Sequence, residues 1–199
     1  MKKTKDNVVK FKNDFINAVK DKKRWLFCSI EIIIIGLLIV FDMLTKKYIY
    51  GYCDTVKDII IIKDVIRFTA VENTGAGFGI LKNQTFALTI ISFVCSILMI
   101  GFIFYSYPRR NKLLRSSLVL ILAGAIGNLI DRMFLGYVRD FVYFELIDFA
   151  IFNFADSFLT IGTALLIIYI IFYYSVEENE ISEKKKAAVE TKIEDEEIK

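Results

Sequence analysis

Four long apolar blocks restrict what this chain can fold into. They run from about Trp25 to Met43, Phe86 to Tyr105, Leu114 to Phe134 and Phe158 to Tyr174. Each approaches or reaches the ~20 apolar residues needed to cross a hydrocarbon core of about 30 Å. The first block contains one acid, Glu31, and the second contains no charge at all. The third is apolar until Asn128, Asp131 and Arg132, and the polar group Asn153, Asp156 and Ser157 sits at or just before the start of the fourth. A soluble bundle would need polar faces for water, and the second block has none to offer. The expected fold class is therefore membrane all-α, with four transmembrane helices. Composition agrees: 55% of the 199 residues are hydrophobic, and the 25% that are charged gather at the termini and between the blocks.

The first block follows Lys22, Lys23 and Arg24 as a signal-peptide core would, but it is too long for one and no small-residue cleavage pattern follows it. It is expected to be a retained span. Lys and Arg near span ends set orientation. Residues 1 to 24 carry nine basic side chains, and the connection between spans two and three carries Arg109, Arg110, Lys112 and Arg115 without an acid. Both segments are expected in the cytoplasm, as is the tail with Lys184, Lys185 and Lys186. Segments 44–85 and 135–157 then lie outside. The expected organisation is a basic extension over 1–24, a membrane domain over 25–175 and a charged tail over 176–199. The net charge of +3 is a sum over compartments and gives no argument for a nucleic-acid partner.

Histidine is absent, which excludes Ser-His-Asp and Cys-His catalysis and any His-ligated metal. Cys28, Cys53 and Cys95 offer neither a disulfide framework nor a metal motif, so no metal and no cofactor are expected. The outer segment 44–85 is long for a loop. Its β-branched runs Asp58 to Ile62 and Val65 to Val71 suggest short strands, followed by the glycine-dense turn Asn73 to Gly79. A small extracytoplasmic β element is expected there.

Chemistry should come from polar groups that the membrane makes expensive, by about 2.5–3.5 kcal/mol for an acid or base at a span centre. Gly124, Asn128, Asp131 and Arg132 recur at spacings of three and four, which places them on one helical stripe. Asn153 and Asp156 repeat the relation, with Thr160 four residues on, and Asp140 lies in the connection between the two groups. All of them fall at the outer ends of spans three and four. Two neighbouring carboxylates that share a proton can hydrolyse an amide without metal or nucleophile. An equally simple reading makes Asp131 and Arg132 a structural ion pair, with Asp140 and Asp156 as loop and cap residues.

The residues themselves resemble those of the lipoprotein signal peptidases, or signal peptidase II, across residues 25–175. Five motifs carry the resemblance: Asp42 to Lys46, Asn73 to Gly79, Gly124 to Arg132, Gly136 to Phe141 and Phe152 to Ser157. The resemblance implies that Asp140 and Asp156 are a catalytic pair. It also implies that Asn73, Gly75, Asn128, Asp131, Arg132, Asn153 and Ala155 line or brace the substrate site, with Asp42 and Lys46 as a structural motif and Asp131 supporting Arg132. The implied partner is a prolipoprotein carrying a diacylglyceryl cysteine, met with membrane lipids at the outer face of a bacterial cytoplasmic membrane. The enzyme is expected to act as a monomer.

Two positions depart from the family pattern: Gly77 stands where a second alanine is usual, and Arg139 where an aliphatic residue usually precedes the acid. A small transporter and a purely structural membrane subunit are the competing classes. A transporter would carry polar groups to the bilayer midplane on several spans, and here they collect at one surface.

Overall fold

The computed structural model describes residues 21–77, 80–106 and 111–174, together with 176, 179, 180, 182 and 183. The expectations for the N-terminal extension, Arg109 and Arg110, the end of the glycine-rich turn and the lysines of the tail fall wholly or mostly outside these residues.

Four helices among the described residues are long and apolar enough to cross a membrane. Helix α1 (Lys22–Thr45) starts at Asp21, whose carboxylate accepts from the backbone N–H groups of Lys23 and Arg24. It continues without a break through a π-helical turn (Lys46–Tyr50) into the short α2 (Gly51–Thr55). The expected end near Met43 is therefore corrected: the helix runs on for three more turns. Asp42 and Lys46, which fall at this junction, do not stop the helix because both are fully buried and pair with each other. Two strands follow, β1 (Ile59–Ile62) and β2 (Ile66–Asn73), then α3 (Thr85–Tyr105) and α4 (Lys112–Leu135). Strand β3 (Val138–Phe144), a 3-10 turn (Glu145–Ile147) and α5 (Phe154–Phe172) complete the order.

Helix α4 is the centre of the bundle: 61% of its apolar window is buried, against 17–22% for the other three spans. Leu114, Leu118, Leu122 and Ala123 pack on Ile35 of α1, Ile103 of α3 and Tyr169 of α5. The outer three helices turn aliphatic side chains such as Ile33, Leu98 and Ile171 outward, as lipid-facing helices do. Glycine sets the α4–α5 spacing. A Cβ on Gly124 would lie 2.3 Å from the Ala155 carbonyl oxygen, and one on Gly162 would lie 2.8 Å from Ile121. In lipid, such close backbone approach supplies the packing that holds helices together.

The strands form one antiparallel sheet in the order β1-β2-β3. The first two match the expected β element, although residues 46–55 of that segment are helical. Strand β3 was not anticipated. Gly136 ends α4 in the left-handed region (φ 82°), which turns the chain sharply into Val138 and lays it against β2. The register pairs Val71 with Asp140, Glu72 with Arg139 and Asn73 with Val138, so the polar end of β2 meets Asp140. Phe141 is fully buried beneath the sheet with Tyr50 and Val142, and it seats the sheet on the helices.

Candidate active site

The end of α5 that meets the sheet is built by a reciprocal capping box. Asn153 Oδ1 accepts from the backbone N–H of Asp156 at 3.0 Å, and Asp156 Oδ2 accepts from the backbone N–H of Asn153 at 3.1 Å. This fixes Asp156 in the first turn of α5, so the fourth helix begins at Phe154 rather than Phe158. The Asn153 side chain then reaches across: Nδ2 donates to Asp140 Oδ1 at 2.7 Å and to Asn128 Oδ1 at 3.1 Å. One asparagine thus bonds both carboxylates, Asp156 through its main chain and Asp140 through its amide.

Asn73 and Asn128 complete the surroundings. Asn73, at the end of β2, donates to Asp140 Oδ2 at 2.8 Å, and its own Oδ1 accepts from the Gly75 N–H. Asn128 donates to Asp156 Oδ1 at 2.7 Å. Each carboxylate therefore receives two donors, one on each oxygen. Even so, Asp140 is pushed up to about 7: burial dominates, the Asp156 charge adds to it, and the hydrogen bonds from Asn73 and Asn153 offset only part. Asp140 is 1% exposed yet lines an open cleft with Glu72, Asn73, Thr74, Lys82, Ala150 and Ile151. A carboxyl that titrates near neutrality, beside a second carboxylate and open to a cleft, is suited to move a proton.

Behind the pair lies a buried charge network. Lys46 Nζ sits 2.8 Å from Asp42 Oδ2, 3.5 Å from Asp131 Oδ2 and 3.0 Å from Asn128 Oδ1. Asp42 Oδ1 accepts from the Ala155 N–H at 2.9 Å, which ties α1 to the first turn of α5. Only glycine fits between them on α4, since a Cβ on Gly127 would lie 2.7 Å from Asp42 Oδ2. Asp42 and Lys46, expected as a structural motif, the residues expected to line or brace the site (Asn73, Gly75, Asn128, Asp131, Arg132, Asn153 and Ala155) and the pair Asp140 and Asp156 thus converge at one end of the bundle.

Two expected relations take a different form. Asp131 and Arg132 make their hydrogen bonds to different partners. Consecutive helical residues point about 100° apart, so Arg132 turns to the glycine-rich turn and donates to the Gly75 carbonyl at 3.0 Å. Asp131 is instead clamped by Arg139, whose Nη2 donates to Oδ1 at 2.6 Å and whose Nε and backbone N–H donate to Oδ2. Thr160, four residues on from Asp156 along α5, is exposed and takes no part in the hydrogen bonds described here. The sequence signal for Arg139 was its place directly before Asp140, but its partner is visible only once β3 folds back on α4.

A second buried ion pair lies toward the other end of α1. Arg115 donates to both oxygens of Glu31, with Nε to Oε1 at 2.6 Å, and its Nη1 donates to the Ile103 carbonyl and to Ser106 Oγ. Arg115, expected in the basic connection, is therefore part of the α4 span and is buried.

Known proteins are similar to this chain in sequence and fold. The family described as Signal peptidase (SPase) II matches residues 33–172, from within α1 to the end of α5. The lipoprotein signal peptidase of Clostridium tetani (strain Massachusetts / E88) is 45% identical over 144 residues, 71% of this chain and 92% of that protein. That of Clostridioides difficile (strain 630) is 38% identical over 144 residues, 72% of this chain and 96% of that protein. Two solved structures described as bacterial membrane enzymes, determined by the in meso method, superpose with a TM-score of 0.63 at 32% identity. They cover 73% and 74% of this chain, and 89% and 96% of their own. Since the match reaches all four membrane helices and covers the sheet between them, this chain belongs to the signal peptidase II family, the lipoprotein signal peptidases.

Proposed function

We propose that Asp140 and Asp156 are the catalytic carboxylates of a membrane aspartic endopeptidase that removes signal peptides from prolipoproteins, cutting just before the diacylglyceryl-modified cysteine. The observation that carries this reading is the shared Asn153, which holds one buried carboxyl that titrates near neutrality beside a second carboxylate. With one proton between them, the ionised member takes a proton from water as the water oxygen attacks the scissile carbonyl carbon. The protonated member donates to the carbonyl oxygen. Collapse of the tetrahedral adduct breaks the C–N bond, and the proton first taken from water passes to the leaving amine of the cysteine. Asn73, Asn128 and Asn153 hold the carboxylates by their amides. Arg132 Nε is buried without an acceptor among the described residues and offers a donor to a substrate carbonyl or ester oxygen.

The site belongs at the extracytoplasmic surface in this reading, with both termini in the cytoplasm, because basic residues flank the opposite ends of the spans. Membrane lipid surrounds the helices in this reading, and every residue assigned to the site comes from one chain, which supports a monomeric enzyme. The diacylglyceryl group anchors the cysteine in the bilayer, at about 0.8 kcal/mol per buried methylene. It thereby delivers the scissile bond to the depth of the two carboxylates. Two measurements test this. Purified enzyme should cleave a diacylglyceryl precursor and leave the matched free-thiol precursor uncut, and comparable cleavage of both refutes lipid-directed positioning. Cysteines introduced at positions 57 and 182 should react with an impermeant reagent in intact cells at the first site alone.

A further inference from the structure

Arg139 lies outside the reacting pair, yet it enters the same buried layer with a full positive charge. We propose that Arg139 is a positioning residue of the reaction: its clamp on Asp131 keeps Lys46 on Asn128, and its charge leaves the two reacting carboxylates with one proton between them. The inference rests on the reading of Asp140 and Asp156 as that pair.

The geometry supplies the first half. Arg139 occupies both oxygens of Asp131 with its guanidinium and adds its own backbone N–H. Lys46 stands 3.5 Å from Asp131 but 3.0 Å from Asn128 Oδ1, and so directs its hydrogen bond to the amide. An amide whose oxygen is held by a cation must turn its NH2 the other way, and here that is toward Asp156 Oδ1 at 2.7 Å. Without Arg139, Asp131 would be an uncompensated carboxylate in a dry layer beside Lys46. It would draw the ammonium away from Asn128 and release the lock on the amide.

Charge supplies the second half. The groups facing this layer are Asp42 and Lys46 from α1, Asp131 and Arg132 from α4, Arg139 and Asp140 from β3 and Asp156 from α5. Four carboxylates therefore meet three cations, and one excess negative charge remains when all are ionised. A single proton neutralises it, which is the number the hydrolytic pair requires. Glu72 of β2, opposite Arg139 in register and bonded to Tyr137, and Lys82 at the cleft mouth are exposed, and water screens them. With Arg139 removed, the excess doubles and protons are held more tightly, so the pH range in which the pair carries one proton moves upward.

The test measures kcat and KM across pH for the purified full chain on a synthetic diacylglyceryl-cysteine precursor. Arg139→Val should displace the bell-shaped profile toward higher pH by about one unit and lower kcat roughly tenfold with little change in KM. Arg139→Lys, which keeps the charge without the fork, should hold the bell in place while lowering kcat. The double variant Arg139→Val with Asp131→Asn restores the charge count and should return the bell to its original position. A wild-type bell in Arg139→Val, or a double variant displaced as far as the single one, overturns the inference. If Arg139→Val fails to accumulate in the membrane, Arg139→Gln, which removes the charge but keeps a polar side chain against Asp131, is held to the same criterion. Asp140→Asn separates the two readings: if it stays active, the catalytic assignment itself falls, whereas an inactive Asp140→Asn with an undisplaced Arg139→Val removes only the role given to Arg139.

Discussion

The two ends of the bundle both bury charge between α1 and α4, and they do so differently. At one end Glu31 and Arg115 form a closed pair: both carboxylate oxygens are met, and Nη1 of the guanidinium donates to the Ile103 carbonyl and Ser106 Oγ. At the other end, four carboxylates share three cations and three asparagine amides, and Asp140 opens on a cleft. Burial of charge is common to both, so burial does not by itself distinguish them. What sets the proposed reaction centre apart is an excess of acids over bases with access from outside.

The comparison breaks most visibly at the dyad. Asp140→Asn and Asp156→Asn should each lower cleavage of a lipidated precursor by about a thousandfold or more, because an amide cannot exchange the proton that water attack needs. Both variants should still insert and fold. A variant that retained near wild-type turnover would show that the excess of acids is structural after all.

At the closed end the expectation is reversed. Glu31→Leu leaves Arg115 buried without its carboxylate and should destabilise the bundle by about 3 kcal/mol, while turnover per folded molecule stays close to wild type. Replacing both partners with leucine should recover most of that loss. Unfolding in detergent, compared across the single and double variants, measures the coupling. Full stability of Glu31→Leu alone would contradict the closed-pair description.

Stability against pH sharpens the contrast further. Asp140 holds its proton more tightly in the folded protein, at about 7, than at its ordinary value of 3.8. The folded state therefore binds the extra proton between these values, and stability declines as pH rises from about 4 to about 7, by roughly 1.4 kcal/mol for each unit of difference at the limit. Asp140→Asn should flatten this slope and exceed the wild type in stability at pH 8. An unchanged slope in the variant would place the titrating group elsewhere. The smallest effect belongs to Thr160→Ala, whose side chain is exposed: it should alter stability by less than about 0.5 kcal/mol and leave activity unchanged.

Much of this was legible in the residues. Apolar block length gave four spans, and the β-branched runs gave β1 and β2 because local composition decides both. What stayed hidden depends on contacts distant in sequence. Asp42 and Lys46 looked like the polar end of a span, since only the folded bundle shows an acid and a base one turn apart neutralising each other inside it. Val138 to Phe144 has the β-branched and aromatic character of a strand, but it was absorbed into a motif read for Asp140 alone. Asp131 and Arg132 looked paired by adjacency, whereas helical geometry sends them to different partners and Arg139 supplies the real one. The candidate site residues were nearly all nameable from the sequence, but the bonds among them were not.

The spacing of the ion partners along the chain also bears on biogenesis. Asp42 finds Lys46 four residues later on the same helix, so this stretch can leave the translocon already neutralised. Glu31 has no such neighbour; its partner Arg115 lies 84 residues downstream. During synthesis the first helix must therefore carry one unmatched acid until the third span has emerged. Association of α1 with α4 becomes the step that relieves it, so this half of the bundle closes only when most of the chain has been made.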